Sequence, residues 1–226
     1  MITSHSLKKR TKMSKLTDFL LNEYVLHHGL VWNPATMTIR AEYPQSAQFE
    51  IEDKKPRIVQ PVGMGVAIFR QGNNSAEVID LEDFMKTVHQ SSGVVPSCCD
   101  FVLAPVIGSD YIVLNELTHS KSEVILPFVQ PQTGEKQEGK LEKARKQLKT
   151  TIERLYEVSD FCDQFVEKTA LFSCRLSDKK SNGIMAKSAR SFSKPIYKLQ
   201  RMKLQEKLPH GFVLKMRVYD AFYPLV

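Results

Sequence analysis

Two acidic residues, Asp100 and Glu116, lie in neighbouring apolar segments of the kind that form β-strands. Asp100 opens the run DFVLA at 100–104, and Glu116 lies near the end of YIVLNELT at 111–118. Side chains alternate along a strand, so the two carboxylates meet across the sheet if the strands pair with both acids on one face. Such a pair attracts Mg²⁺ or Mn²⁺, and the metal could polarise a phosphodiester oxygen and lower the pKa of an attacking water.

Each acid also has a purely structural interpretation. Asp100 follows two cysteines and could bond nearby backbone amides at the start of its strand. Glu116, taken alone, could be a solvated charge at the end of a strand. The sequence leaves both alternatives open.

Several elements must position these acids. Ser14 or Thr17 can cap a first helix that runs to about His28, where Gly29 supplies a stop. Further patterns predict extended structure over 36–52, a strand over 62–70, a short helix over 81–90 capped by Asp80, and strands over 169–176 and 211–218. A long lysine-rich helix is predicted over 140–168, because its apolar residues keep helical spacing as far as Phe165.

This order of elements resembles the PD-(D/E)xK nuclease superfamily, which has a helix, antiparallel strands carrying an acid and then an acid-x-lysine motif, a helix and a further strand. The resemblance covers about 62–176 and implies a restriction-endonuclease-like α/β core with a mixed central sheet flanked by helices. Asp100 matches the first acid and Glu116 the second. Gln147 lies where many members carry a glutamine in the following helix, and Glu23 is a candidate accessory acid. The implied cofactor is Mg²⁺ or Mn²⁺, held by Asp100 and Glu116.

The chain departs from this family pattern at Thr118, where the resemblance requires a lysine. Some members relocate that lysine, and Lys121 is the preferred candidate here, followed by the helix residues Lys140, Lys143 and Lys146. The sequence therefore predicts either a nuclease with a relocated lysine or a catalytically inactive relative that binds nucleic acid or a partner protein. An unrelated α/β interaction protein is a third alternative. Restriction, repair or defence is the setting that the resemblance implies.

A basic segment over 179–207 is the candidate nucleic-acid contact. It holds nine basic residues against one acid, and serines and an asparagine are interspersed as neutral donors. Contacts of this kind are sequence-independent and sensitive to salt. A solvated basic loop and helix would have the same composition. The candidate phosphate-binding residues are Lys179, Lys180, Lys187, Arg190 and Lys194.

Composition sets broader limits. The 226 residues carry a net charge of +7, with 42% hydrophobic and 25% charged residues, which suits a globular protein with an anionic partner. One domain over 1–226 is expected, with a mobile basic start over 1–14 and a basic segment plus strand over 177–226. No secretory signal or membrane span is apparent, and the four cysteines lack zinc-site spacing. The prediction is a reduced cytoplasmic protein that does not bind membranes, with a protein partner or self-association left open.

Overall fold

The computed structural model describes residues 13–52, 56–177, 204–219 and 222–226. Helix α1 spans 15–27 and consists of α-helical Lys15–Asp18, π-helical Phe19–Tyr24 and α-helical Val25–His27. The Ser14 hydroxyl accepts a hydrogen bond from the Thr17 amide at 3.0 Å, and Gly29 follows with a φ of 61°. The predicted cap, span and stop of this helix are confirmed. Ser14 itself is buried, and most of the segment expected to be a mobile start, 1–12, lies outside the described residues.

The described residues also form two further α-helices, thirteen strands and four short 3₁₀ turns. Helix α2 is Leu81–Val88, and Asp80 caps it by accepting from the Asp83 amide at 2.9 Å, as predicted. Helix α3 is Lys140–Val158. The strands are β1 Ala41–Glu42, β2 Gln48–Ile51, β3 Val59–Gln60, β4 Ala67–Gln71, β5 Ala76–Asp80, β6 Phe101–Pro105, β7 Tyr111–Ser120, β8 Phe128–Val129, β9 Lys136–Gln137, β10 Glu167–Leu176, β11 Gln205–Lys207, β12 Val213–Val218 and β13 Tyr223–Leu225.

A seven-stranded mixed sheet forms the centre, in the order β1-β5-β6-β7-β10-β12-β11. Strands β5, β6 and β7 form an antiparallel meander, whereas β7, β10 and β12 run parallel. Helix α3 connects β7 to its parallel neighbour β10, as a parallel pair requires. The mixed α/β class and the mixed central sheet are confirmed.

Different layers cover the two faces of this sheet. Val102 and Leu114 point to the face where α1, α2 and α3 pack, within a core that includes Leu148 and Phe84. Residues of opposite parity, such as Leu103, point to a second sheet in the order β13-β4-β2-β3. Among the described residues, helices therefore flank one face only, and the small sheet takes the other. The sequence analysis did not predict this second sheet.

The predicted strand over 62–70 begins only at Ala67. The buried Glu50 carboxylate accepts from the Gly63 amide at 2.6 Å and from the Gly65 amide, which folds 62–66 into a turn around it. A Cβ at Gly65 would lie 2.6 Å from the Cβ of Glu50, so only glycine fits there. Strand β5, which follows that strand, was not predicted.

The long helix ends ten residues earlier than predicted. Ser159 adopts an extended conformation, a 3₁₀ turn covers Phe161–Gln164, and Glu167 already belongs to β10. Cys162 and Phe165 are buried, as the apolar spacing indicated. They belong to the 3₁₀ turn and to the residue after it, not to the helix. Phe161 stacks on Phe19 at a centroid distance of 4.2 Å, which fixes the turn against α1.

Candidate metal site

Asp100 and Glu116 lie opposite each other on adjacent antiparallel strands. Phe101 pairs with Asn115. Because the strands are antiparallel, Asp100, which precedes Phe101, lies opposite Glu116, which follows Asn115. Directly opposed residues point to the same face, with Cβ atoms about 5 Å apart. Val102 and Leu114 point to the helical face. Side chains two residues apart on a strand share a face, so Asp100 and Glu116 point to the helical face as well. The predicted juxtaposition of the two acids is therefore present in the structure.

Glu116 is buried beneath the helical layer. Only 9% of the residue is exposed, and the Asp100 amide and the Gln147 side chain act on its carboxylate to lower its pKa, against the larger effects that raise it. Its Oε2 has no hydrogen-bond partner among the described residues. Burial first, and then the charge of Asp100, raises the pKa of Glu116 to about 9. The interpretation of Glu116 as a solvated strand-end charge is wrong.

Asp100 has a structural bond as well as its place beside Glu116. Its Oδ2 accepts from the Leu117 amide at 2.6 Å, so it does bond a nearby backbone amide, as the structural interpretation predicts. The same bond holds the carboxylate against β7, next to Glu116. The structural role and a ligand role are thus compatible, because a carboxylate has more than one acceptor position.

Helix α3 closes the site from above. Gln147 donates to the Cys98 carbonyl at 3.4 Å, and its side chain also acts to lower the pKa of the Glu116 carboxylate. One turn later, the Thr151 hydroxyl accepts from the Cys99 amide at 2.8 Å. These contacts attach the segment before Asp100 to the helix. The structure therefore brings Gln147 to the acid pair, as the sequence predicted.

Lys121 does not reach the acid pair, which corrects the sequence prediction. It lies just beyond β7, five extended residues from Glu116 and so about 16 Å along the strand direction. Its exposed ammonium faces Glu123 at 3.7 Å. Thr118 contributes no cation, and its hydroxyl lies 3.1 Å from that of Ser120.

The other lysine candidates lie on the first turns of α3. Lys146 is paired with Glu138 at 2.6 Å. Lys143 is exposed and precedes Gln147 by one helical turn, which places it on the same edge of the helix. Lys143 is therefore the α3 lysine whose helical position fits the acid pair.

Glu23 does not belong to the site, which corrects its assignment as accessory acid. Its carboxylate accepts from the Ser159 hydroxyl at 2.9 Å, just past the end of α3. Ser159 is twelve residues from Gln147, a distance of about 18 Å along a helix.

Helix α2 supplies an acid that the sequence analysis missed. The Asp100 carbonyl accepts from the Leu81 and Glu82 amides at 2.9 and 3.3 Å, so the first turn of α2 rests on Asp100, directly before β6. The charge of Glu82 contributes to the raised pKa of Glu116. The capping of α2 by Asp80 was visible in the sequence, but the contact of the helix with Asp100 is long-range and left no local signal.

The residues at the acid pair fit a Mg²⁺ or Mn²⁺ ion held by two carboxylates. Mg²⁺ commonly takes one or two protein carboxylates and completes its octahedron with water and substrate phosphate oxygens. The unpartnered buried Oε2 of Glu116 is the kind of oxygen that such an ion satisfies. No group of three histidine, cysteine or acidic residues that could hold a metal is found in the described part of the chain.

Lys179, Lys180, Lys187, Arg190 and Lys194, the candidate phosphate contacts, lie outside the described residues. All four cysteines are free and buried, as expected for Cys162 and Cys174. None of the helices within the described ranges is long and apolar enough to cross a membrane.

Comparison of the chain with family models, with curated proteins and with solved structures finds no match. The assignment of a function therefore depends on the geometry of the site.

Proposed function

We propose that this protein is a nuclease-like phosphodiesterase with a restriction-endonuclease-like core, which uses Mg²⁺ or Mn²⁺ to act on nucleic acid. One observation carries the proposal: Asp100 and Glu116 oppose each other on antiparallel strands, and a buried oxygen of Glu116 has no hydrogen-bond partner among the described residues. The order α1, antiparallel β6 and β7, α3 and β10 supports the same proposal, since it is the order of the PD-(D/E)xK superfamily.

The chain's own residues have distinct roles in this proposal. Asp100 and Glu116 hold the metal, which when bound supplies charge stabilisation at the phosphate and a more acidic water. Gln147 orients the Glu116 carboxylate and attaches α3 above it. The bond from the Leu117 amide fixes the Asp100 carboxylate before the metal arrives, which lowers the cost of ordering the site.

A second candidate is a catalytically inactive protein of the same fold that binds nucleic acid or a protein partner. Thr118 favours it, because a hydroxyl cannot supply the cation that the acid-x-lysine motif provides. In this case the basic segment around Lys179 and Lys187 would carry the binding, and the acid pair would stabilise the strand ends.

The test is cleavage of plasmid and of single-stranded DNA and RNA with Mg²⁺ or Mn²⁺, comparing the wild type with Asp100→Asn and Glu116→Gln. Both variants keep the shape of the side chain and remove its charge. We expect metal-dependent cleavage by the wild type and a loss of at least about 100-fold in each variant. Asp110→Asn is the matched control, because this exposed acid precedes the first residue of β7, six positions from Glu116.

Three results separate the candidates. Cleavage that disappears in both site variants but not in the control supports the enzyme. Salt-sensitive binding without cleavage, weakened by neutralising Lys179, Lys180, Lys187 and Arg190, supports the inactive binder. Neither cleavage nor binding of nucleic acid contradicts the enzyme and the nucleic-acid binder, and it leaves a protein that binds a protein partner.

A further inference from the structure

A cluster of histidine and aromatic rings joins the C-terminal end of α1 to the end of α2. Tyr24 is fully buried, and its hydroxyl lies 3.3 Å from Nε2 of His89, the residue after α2. The centroid of the His28 ring, just after α1, lies 4.5 Å from that of Tyr24 and 6.3 Å from that of His89. Phe84 of α2 packs on Tyr24 at 5.9 Å and on Trp32 at 6.3 Å. Ring contacts therefore hold this end of α1 in place.

The packing of this cluster suits neutral histidines. Nε2 of His28 is buried without a hydrogen-bond partner among the described residues, and only 8% of His89 is exposed. Protonation turns both ring nitrogens of a histidine into donors. A charged His28 would then bury an N–H that has no acceptor in the described structure, and a charged His89 could not accept from the Tyr24 hydroxyl. Burial also raises the pKa of the Tyr24 phenol and of the Cys98 thiol, so these two neighbours stay neutral.

The charges that act on the two histidines come from α1 and α3. Burial first, and then the charges of His27 and Arg154, lowers the pKa of His28. Burial first, and then Arg154, lowers the pKa of His89. The His27 ring lies 4.9 Å from that of His28, whereas Glu157 on α3 acts on His28 in the opposite direction. The net effect at both rings disfavours the charged form.

The two halves of α1 are held by different contacts. At the N-terminal end, the hydroxyls of Ser14 and Thr17 both donate to the buried Glu77 carboxylate, the second at 2.8 Å, and no histidine takes part. The π-helical stretch Phe19–Tyr24 separates this anchor from the histidine cluster. A π-helical turn is a rare interruption of an α-helix that is frequent at functional positions. The C-terminal end of α1 can therefore separate from α2 while the N-terminal end stays bound.

We propose that His28 and His89 form an acid-sensitive switch, and that their protonation releases the C-terminal end of α1 from α2 and exposes Tyr24 and Phe84. This switch is independent of the proposed function. A histidine whose pKa is lowered by folding contributes stability above its unfolded pKa of about 6.5, and this contribution is lost as the pH falls through the lower, folded value. Two such protons raise the opening equilibrium by up to about 100-fold per pH unit. Glu116 has the opposite sign, so it does not cause a loss of stability on acidification.

Trp32 is the only tryptophan in the chain, and its place against Phe84 makes it a local reporter. The experiment measures quenching of Trp32 fluorescence by acrylamide from pH 7.5 to pH 5, with far-UV circular dichroism to follow the whole fold. We expect quenching to rise in the wild type below about pH 6.5 while the dichroism is nearly unchanged. His28→Gln combined with His89→Gln should abolish the rise, because neither amide takes up a proton in this range. His119→Gln, at an exposed position of β7, is the matched control and should behave as the wild type.

Two fluorescence results would overturn the switch: quenching that rises equally in the double variant, or quenching that stays constant in the wild type down to pH 5. A rise that coincides with loss of the whole dichroism signal overturns it as well, because the response is then global unfolding. If the double variant does not fold at pH 7.5, the imidazole signals of the wild type decide by nuclear magnetic resonance. Titration of His28 and His89 below about pH 6.5, together with the change at Trp32, supports the switch. Titration of either ring at its ordinary pKa, without that change, contradicts it.

Discussion

Glu116 is a buried acid whose protonation state should control both stability and metal binding. Its pKa is raised to about 9, against about 4.5 in an unfolded chain, because burial and Asp100 both disfavour the charged form. The folded protein therefore binds one proton more than the unfolded protein between these two pH values. This contribution to stability is fully present below pH 4.5 and is lost as the pH rises toward 9.

The first prediction follows from that sign. Without metal, Glu116→Gln should remove this pH dependence, so the variant gains stability relative to the wild type between pH 6 and pH 9. Urea unfolding at pH 5, 7 and 9 measures the difference, and Asp110→Asn serves as the control. A constant difference between wild type and Glu116→Gln across this range would show that Glu116 is already ionised in the folded protein.

The second prediction concerns the proton that a metal must displace from Glu116. A divalent ion binds the ionised carboxylate, so binding at pH 7 should release about one proton per ion. Affinity for Mg²⁺ or Mn²⁺ should then rise about tenfold per pH unit between pH 6 and 8. Calorimetry in two buffers of different ionisation enthalpy counts the protons. Binding without proton release would place the ion on other residues.

At the scale of elements, α3 holds the segment that carries the first acid. Thr151 is fully buried, and its hydroxyl is the partner of the Cys99 amide. Removing the hydroxyl leaves a buried amide without its acceptor, which costs about 1–3 kcal/mol. The same bond holds the segment of Cys98 and Asp100 below Gln147, so its loss should displace the Asp100 carboxylate of the proposed metal site.

The third prediction is therefore that Thr151→Val lowers the free energy of unfolding by about 1–3 kcal/mol and weakens metal binding. Valine keeps the size of the side chain, so the change removes only the hydroxyl, with its bond from the Cys99 amide and its bond to the Gln147 carbonyl one turn earlier. Thr150→Val, at a half-buried position next to it, should leave metal affinity unchanged. Equal metal affinity in Thr151→Val and wild type would show that the acid pair does not depend on this attachment.

Sequence patterns predicted the elements whose signals are local. Ser14 and Asp80 cap their helices through bonds three residues away, and the short 105–110 connection brings the two acids opposite each other. Glu82 could not be recognised, because its place at the site depends on the Asp100 carbonyl eighteen residues later. The end of α3 was misplaced because Cys162 and Phe165 continue the apolar spacing after the helix has ended.

At the scale of the whole molecule, the two faces of the large sheet have different tasks. The helical face holds the acid pair, whereas the other face is a packed layer in which Phe69 stacks on Phe49 at 5.5 Å and meets Tyr223 at 6.2 Å. The small sheet joins distant parts of the chain, since Tyr223 of β13 pairs with Phe69 of β4. Such long-range pairing explains why the sequence analysis did not predict it.

This division of tasks yields the fourth prediction. Phe69→Ala opens a cavity in a fully buried site and should lower the free energy of unfolding by about 3–5 kcal/mol. Because Phe69 lies on the face opposite Asp100 and Glu116, metal affinity should not change at temperatures where the variant is folded. Urea unfolding and calorimetry measure the two quantities separately.

Phe222→Ala is the control, since this aromatic side chain is exposed and stacks only on Arg70 among its described aromatic and cationic contacts. Weaker metal binding by folded Phe69→Ala would mean that the small sheet also shapes the site, and that the two faces act as one unit.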